Sequence, residues 1–229
     1  MLSIIVPFLN EAQEMPKLCS HLQVLKDKGC EIILIDGGSE DDSLAITKQH
    51  GFPVLRAAAG RANQMNAGAA TATGDTLLFL HADTRLPDSA DTDIIEALQS
   101  GQYLWGRFDI HIDGKHPLLN VIAWFINQRS RMTSIATGDQ GIFVKRALFQ
   151  QVGGFPEQDL MEDIALTARL KKWGQPHCIT TKISTSGRRW ETQGVVATVL
   201  LMWRLRLAYW LGAPPETLKK QYTQVNRVK

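Results

Sequence analysis

The sequence predicts an α/β protein with a mostly parallel sheet flanked by helices and followed by C-terminal helices. Short apolar, β-branched runs alternate with helix-length segments through the first hundred residues, which is typical of repeated strand–helix units. The runs are apolar almost continuously, as expected for strands that are covered on both faces. Polar residues follow several runs directly, and ligands bind beyond the carboxyl ends of such strands.

The elements of the first half follow from this alternation. Each strand is a short run of β-branched residues and leucine, and each helix is a longer segment of mixed polarity. The predicted strands cover residues 2–6, 31–35, 53–56 and 76–80, and the predicted helices cover 12–25, 42–50, 61–72 and 89–100.

The second half is less regular. Residues 104–112 alternate like a half-buried strand, and 141–144 predicts a short strand. Helices are predicted over 118–131, 160–173 and 195–211, with a last polar helix from Pro214, because proline suits a first helical turn. We expect one domain over 1–190 and a helical extension over 191–229 that packs on that domain, on a partner or on a membrane surface.

The composition limits the class of protein. A net charge of +2 in 229 residues does not indicate a general polyanion binder, so nucleic acid is not an expected partner. The segment 182–229 is nevertheless basic, with nine Lys and Arg against two Asp and Glu. This excess suits contact with phosphates or an anionic lipid surface, or else a solvated basic face. Three widely spaced cysteines and the polar loop after the first strand favour a reducing cytoplasm.

The apolar run at 195–203 is interrupted by Arg204 and Arg206. It is shorter than the roughly 20 residues that a membrane-spanning helix requires. Packing on the domain, a homodimer contact and a position on the inner face of the plasma membrane remain open for this helix.

Several common catalytic signatures are missing from the chain. It contains no G-x-G-x-x-G, no G-x-x-x-x-G-K-[ST], no H-E-x-x-H and no G-x-S-x-G pattern. A dinucleotide dehydrogenase, a P-loop kinase, a zincin protease and an ordinary α/β-hydrolase are therefore not indicated.

Acidic residues at predicted strand and helix ends remain as candidates for chemistry. Asp36 and Asp83 follow strands, and Asp83 shares an extended face with His81. Carboxylates at such an edge suit Mg²⁺ or Mn²⁺ together with diphosphate oxygens. Glu162 and Asp163 begin a helix, where one of them could serve as a general base. Each group alone also fits a structural explanation, as a turn, a helix cap or a satisfied histidine.

Together these pieces resemble the family-2 glycosyltransferases, which have the Rossmann-like GT-A fold. Seven segments carry the resemblance in the family's order and cover about residues 2–190: IIVPFLNE (4–11), IDGGSEDDS (35–43), RANQMNAGA (61–69), LHADT (80–84), GDQGIF (138–143), GGF with MEDIAL (153–166) and SGRRW (186–190). The details also resemble a compact bacterial subgroup named radical-SAM/selenodomain-associated transferases.

The resemblance implies roles for the matching residues. Those implied to bind the nucleotide-sugar are Pro7, Asn10, Glu11, Asp36, Arg61, Gln64, Ala82 and Asp83. Those implied to contact the diphosphate or the acceptor are Gly138, Asp139, Gln140, Arg188, Arg189 and Trp190. Asp163, with Glu162 beside it, would be the catalytic base. Asp83 would bind the metal, and His81, which replaces the first acid of the family's D-x-D motif, leaves its own part in metal binding open.

The activity implied by the resemblance is an inverting, metal-dependent transfer of a sugar from a nucleotide-diphosphate donor to an acceptor hydroxyl. A UDP-sugar is the favoured donor, Mg²⁺ or Mn²⁺ is the expected cofactor, and a lipid-linked acceptor is left open. Two alternatives stand beside it: a sugar-phosphate nucleotidyltransferase, and a catalytically degenerate protein that only binds a nucleotide-sugar. The first normally has a glycine-rich loop where this chain has Pro7 to Glu11.

Overall fold

One sheet of eight strands organises the chain. The computed structural model describes the backbone of residues 1–227 and the side chains of 1–188 and 190–223. The strands are β1 Leu2–Phe8, β2 Glu31–Asp36, β3 Val54–Arg56, β4 Thr76–Phe79, β5 Thr84–Arg85, β6 Trp105–Asp113, β7 Ile142–Lys145 and β8 His177–Ser186. Their order across the sheet is β3-β2-β1-β4-β7-β6-β8-β5.

The first half of the sheet is parallel, as the alternation of strands and helices predicts. β1 pairs in parallel with β2 and β4, and β2 pairs in parallel with β3. Alternate side chains of β1 enter different apolar clusters, since Ile4 and Val6 belong to one and Ile5 belongs to the other. Each such buried side chain contributes about 1.5–3 kcal/mol relative to an exposed one. This burial on both faces explains why the strand is apolar throughout.

The second half adds antiparallel pairs, so the sheet is mixed, with four parallel and three antiparallel pairs among the described strands. β7 runs antiparallel to both β4 and β6, and β5 runs antiparallel to β8. Only the pair β6–β8 is parallel there. The apolar pattern of a strand reports which faces are covered and carries no information on strand direction, so the reversal after β4 was not predictable from it.

Helices cover both faces of this sheet. The helices are α1 Met15–Asp27, α2 Ser43–Gln49, α3 Arg61–Thr71, α4 Ala90–Gln99, α5 Leu118–Thr133, α6 Arg146–Gln151, α7 Glu162–Leu170, α8 Arg188–Gln193, α9 Val195–Trp210 and α10 Pro215–Arg227. Helix α3 packs very closely on the sheet, since a Cβ on Gly68 would lie 2.7 Å from Ile5 and Ile35. That close contact fixes the direction of the first turn of α3, which carries Arg61 and Gln64.

Strand β8 has no counterpart among the predicted elements. Its buried positions include Ile179, Ile183 and Thr185, which do not follow a strict two-residue alternation. The pairing with β6 shifts register after Phe108, so that Ile179 faces Phe108 whereas Lys182 faces Asp109. The irregularity breaks the period by which a half-buried strand is recognised in a sequence.

The C-terminal helices pack on the segment that precedes α7. Leu205 of α9 and Leu218 of α10 are buried against Met161. The remaining surface of α9 is strongly apolar and exposed, at Val196, Leu200, Trp203, Leu207 and Trp210. Within residues 1–227, none of the helices combines the length and the apolar character needed to cross a bilayer. The division of the chain into 1–190 and 191–229 stays a prediction.

Candidate active site

A large cleft opens beyond the carboxyl ends of β1 and β4, with a volume of about 980 Å³. It lies where parallel α/β sheets bind their ligands. Eleven of the residues implied by the family resemblance line it: Pro7, Glu11, Arg61, Gln64, His81, Ala82, Asp83, Asp139, Glu162, Arg188 and Trp190. The sheet thus gathers side chains that are up to 183 positions apart in the chain.

Gln64 ties the carboxyl ends of two strands together at the bottom of the cleft. Its Nε2 donates hydrogen bonds to the carbonyl oxygens of Phe8 and Ile35, both at 2.9 Å. The amide nitrogen is therefore used within the protein, and only the carbonyl oxygen of the side chain is left for a ligand.

Asn10 and Asp36 do not line the cleft, although the two neighbours of Asn10, Leu9 and Glu11, do. Asn10 has a left-handed backbone, with φ of 55°, and joins the two loops by accepting from Glu40 N–H and donating its own N–H to Ser39 Oγ. Asp36 is fully buried at the end of β2, where Oδ1 accepts from Ser39 N–H at 2.8 Å. Its Oδ2 is buried without a hydrogen-bond partner among the described side chains, and the nearest cation is Arg56 Nε at 3.7 Å.

Two carboxylates meet at the entrance to the cleft. Glu11 follows β1 and Asp83 follows β4, and both line the cleft wall. Burial, and then the negative charge of Asp83, raise the pKa of the Glu11 carboxyl. Arg188 partly offsets this charge, with Nη2 at 3.8 Å from a Glu11 carboxylate oxygen. The pair therefore forms a negatively charged site that an additional cation would stabilise.

His81 is held by the opposite wall of the cleft. Its Nδ1 lies 3.1 Å from Asp139 Oδ1, and its Nε2 lies against the backbone of Gly138. A Cβ at position 138 would be 2.4 Å from that nitrogen, so the contact requires glycine. Nδ1 is thus engaged by Asp139 and Nε2 is covered, which favours a role for His81 in positioning this turn over a role as a metal ligand.

The carboxylate of Asp163 is fixed by two backbone groups. Oδ2 accepts from Gly138 N–H at 2.8 Å, and Oδ1 accepts from Ile164 N–H at 2.7 Å. Both oxygens keep further lone pairs, so the side chain can still accept a proton or a hydrogen bond. Gly138 therefore helps to orient the acid that the resemblance identifies as the base.

Glu162 projects from the first turn of α7 into the cleft and is only 5% exposed. Burial, and then the adjacent charge of Asp163, raise its pKa to about 7, while Arg61 and His81 act in the opposite direction. Near neutral pH Glu162 is therefore able to gain or lose a proton.

The raised pKa has a consequence for stability. In the unfolded chain Glu162 titrates near its reference value of 4.5, so the folded state alone holds the proton between about pH 4.5 and 7. Stability is hence lost as pH rises through that range, by about 3 kcal/mol in total. We expect Glu162→Gln to raise the free energy of unfolding at pH 8 relative to the original chain, with a much smaller difference at pH 5. Urea unfolding at the two pH values measures this.

A matched control is Glu157→Gln, which changes an exposed glutamate in the same region. It should shift the free energy of unfolding by the same small amount at both pH values. A stability difference for Glu162→Gln that does not depend on pH would contradict the raised pKa.

The remaining acceptor-side residues divide into two groups. Arg188 and Trp190 line the cleft, and Arg188 also approaches Glu14 at 3.9 Å. Gln140 is fully buried outside the cleft lining and accepts from Thr137 N–H at 3.2 Å, which closes the turn Gly138–Gln140. The side chain of Arg189 lies outside the described residues.

Two arginines of the cleft were not predicted from the sequence, Arg129 of α5 and Arg206 of α9. Each helix has a second arginine two positions away, Arg131 and Arg204, and a helix predicted from sequence does not reveal which face meets the site. The spacing offers the available signal: each arginine ends a row of apolar residues separated by three or four positions, which share one face of a helix.

The two acids at the entrance can hold a divalent cation only when a bound ligand supplies further coordinating atoms. Among the described side chains, no group of three or more histidine, cysteine, aspartate or glutamate residues is arranged to hold a metal. Magnesium-type sites commonly use one or two carboxylates and complete the shell with water and substrate phosphates. Asp83 and Glu11, with their mutually unfavourable charges, match that kind of site.

Comparisons with known proteins agree with this geometry. The chain is 28% identical over 166 residues to the undecaprenyl-phosphate 4-deoxy-4-formamido-L-arabinose transferase of Sodalis glossinidius, covering 62% of this chain and 47% of that protein. It spans about half the length of the curated relatives it matches.

Solved structures show the same fold at low identity. A mannosyltransferase of Pyrobaculum calidifontis, solved with GDP-Man and Mn²⁺, matches with a TM-score of 0.62 and 20% identity over 80% of this chain and 56% of that one. S. aureus TarS 1-349, solved with UDP-GlcNAc, matches with a TM-score of 0.63 and 17% identity over 81% and 58%. The mixed sheet flanked by helices is thus the GT-A architecture that the sequence predicts.

The family model described as glycosyl transferase family 2 matches residues 3–153. That range contains β1 through α6 and most of the entrance to the cleft, including Glu11 and Asp83. The narrower subgroup stays a prediction. By the match to more than half of its length, the chain belongs to glycosyl transferase family 2.

Proposed function

We propose that the chain transfers a sugar from a nucleotide-diphosphate donor, with a UDP-sugar favoured, to an acceptor hydroxyl with inversion at the anomeric carbon. The observation that carries the proposal is that one cleft is lined by Glu11 and Asp83 and also by Glu162, whose neighbour Asp163 is not itself among the lining residues. The structural relatives solved with GDP-Man and with UDP-GlcNAc support a nucleotide-sugar donor.

The entrance would bind the donor. Oδ2 of Asp36 is buried without a hydrogen-bond partner among the described residues, so it can accept a hydrogen bond from the nucleotide base when its loop lets the base approach. Arg61 and Arg188 would contact the diphosphate, since charge-assisted hydrogen bonds from arginine suit phosphate oxygens. Asp83, with Glu11 beside it, would hold Mg²⁺ or Mn²⁺. When bound there, the cation supplies positive charge that neutralises the leaving diphosphate.

The far wall would perform the proton transfer. Asp163 would take the proton from the acceptor hydroxyl as the oxygen bonds to the anomeric carbon, while the bond from that carbon to the diphosphate breaks and its electron pair leaves with the phosphate. Attack occurs from the face opposite the leaving group. The fixed orientation of the Asp163 carboxylate supports this role, and Glu162, with its pKa of about 7, would share the proton afterwards.

The test is a thermal unfolding screen of nucleotide-sugars with Mn²⁺ and with EDTA. A UDP-sugar at 100 times its Kd stabilises by about 2.7 kcal/mol, which raises Tm by about 5–10 °C for a chain of this size. We expect the shift with Mn²⁺ and little shift with EDTA, and slow release of UDP from the bound donor. A lack of shift with every nucleotide-sugar would overturn the proposal. Pyrophosphate release from UTP and a sugar phosphate would favour the nucleotidyltransferase alternative.

A further inference from the structure

Two arginines that line the cleft carry buried N–H groups to which no described group is hydrogen-bonded. Arg129 of α5 and Arg206 of α9 both line the cleft. Among the described side chains, Arg129 Nε and Nη2 and Arg206 Nε are buried without a hydrogen-bond partner. Burial, and then the charge of Arg206, lower the pKa of Arg129 to about 10. The charge of Asp163 acts in the opposite direction on both arginines, and that of Asp139 does so on Arg206.

Unpaired buried donors are costly for a protein. A buried polar group without a partner costs about 1–3 kcal/mol, and a charged group costs more. Two positive charges that line one cleft also repel each other, which adds to that cost. An anion between them would satisfy the free N–H groups and remove the repulsion, and phosphate oxygens match the geometry of arginine especially well.

Apolar side chains lead from these arginines to the surface of the protein. On α5 the cleft is lined by Ile122, Phe125 and Ile126, and on α9 it is lined by Val199, Met202 and Trp203. Each set continues to its arginine at a spacing of three or four residues, so both helices present an apolar row that ends in a cation. The rows reach solvent at Phe125 and Trp203, which are 58% and 66% exposed.

The surface beside this opening is apolar as well. Exposed side chains on α5 include Leu118, Val121 and Trp124, and those on α9 include Val196 and Leu200. Several exposed apolar side chains on neighbouring helices are typical of a region that binds an apolar ligand. A chain lying along the two rows would therefore leave the cleft on the helices that carry these side chains.

We infer that this groove binds an acceptor that joins a phosphate group to an apolar chain, with the phosphate on Arg129 and Arg206 and the chain along α5 and α9. The inference rests on the proposed function, because it places the acceptor next to Asp163. The groove would recognise the acceptor, and the transfer step is the one proposed above.

The test uses three probes and needs no donor: decyl phosphate, decyltrimethylammonium and inorganic phosphate, titrated below micelle formation. Binding is followed by calorimetry and by the fluorescence of Trp190 and Trp203, which line the cleft. We expect decyl phosphate to bind at least ten-fold more tightly than the other two. Arg129→Gln and Arg206→Gln should each weaken decyl phosphate binding by about ten-fold, since one hydrogen bond to a charged group is worth about 1.5–3 kcal/mol.

Arg204→Gln is the matched control, because Arg204 is exposed on the same helix and donates to Gln221 at 2.8 Å. It should leave decyl phosphate binding unchanged, and Arg206→Lys should restore part of the affinity. Equal binding of the cationic amphiphile would overturn the anion site, and equal binding of inorganic phosphate would overturn the apolar part. Unchanged affinity in both glutamine variants would remove the arginines from the site.

Different measurements would overturn the proposed function and the amphiphile site. Nucleotide-sugar titrations of the same preparations report on the donor side alone. Loss of all donor binding with intact decyl phosphate discrimination would overturn the proposed function and support the amphiphile site. Loss of discrimination with intact donor binding would overturn the amphiphile site only.

Discussion

Replacing Asp163 by asparagine should lower turnover by about 10²–10⁴-fold, the usual contribution of a general base. The side chain keeps its size, and its one remaining oxygen can still accept from Gly138 or Ile164, which bond the carboxylate at 2.8 and 2.7 Å. An amide cannot take the acceptor proton at neutral pH, so the chemical step is lost while the donor site is untouched. Transfer rates and donor dissociation constants measured side by side check this result.

Glu162→Gln is the informative comparison, because it changes the acid that precedes Asp163 in the chain. We expect it to alter the pH dependence of transfer near pH 7 and to reduce turnover less than Asp163→Asn. If Glu162→Gln lowers turnover more than Asp163→Asn does, Glu162 is the general base and Asp163 is the supporting acid. Near-normal transfer by Asp163→Asn would remove Asp163 from catalysis altogether.

Asp83→Ala should abolish the strengthening of donor binding by Mn²⁺. Asp83 is one of two carboxylates at the cleft entrance, and its charge already raises the pKa of Glu11. Removal leaves Glu11 as a single partly paired acid, because Arg188 approaches it at 3.8 Å. Calorimetric titration of the UDP-sugar with Mn²⁺ and with EDTA should show a ratio of affinities of at least ten-fold for the original chain, which corresponds to about 1.4 kcal/mol. The ratio should be near one for the variant.

Asp75→Ala provides the matched control for this experiment. Asp75 precedes β4 at its amino end and is 80% exposed, whereas Asp83 follows the same strand at the cleft. The control should keep the full effect of Mn²⁺ on donor affinity. A metal effect that survives in Asp83→Ala would show that the cation is held elsewhere.

The elements of the first half were predictable because burial and periodicity agree there. Strand β1 was expected over 2–6 and spans Leu2–Phe8, and helix α3 was expected over 61–72 and spans Arg61–Thr71. Both follow from local apolar patterns that the packing retains. Strand direction in the second half depends on long-range pairing of β7 with β4 and β6, for which a local pattern contains no signal.

The residues of the candidate site were predictable where they belong to a sequence motif. Glu11, Asp83 and Glu162 were expected from short segments that resemble a family, and all three line the cleft. The arginines of α5 and α9 belong to no such segment. Their importance arises from two helices meeting the same cavity, a relation between residues 77 positions apart that no single window of sequence contains.

The reversal of strand direction between β4 and β7 has a consequence for how such a protein can diversify. Three site residues belong to the early part of the chain, which forms β1 to β4 or follows β4 directly: Asp36, Arg61 and Asp83. Three others come later in the chain: Arg129, Asp163 and Arg206. Under the proposed roles, most donor contacts are thus encoded before the acceptor contacts, with Arg188 as a donor contact in the later stretch. Substitutions at Arg129 and Arg206 can then change the recipient of the sugar while most contacts to the activated sugar stay the same.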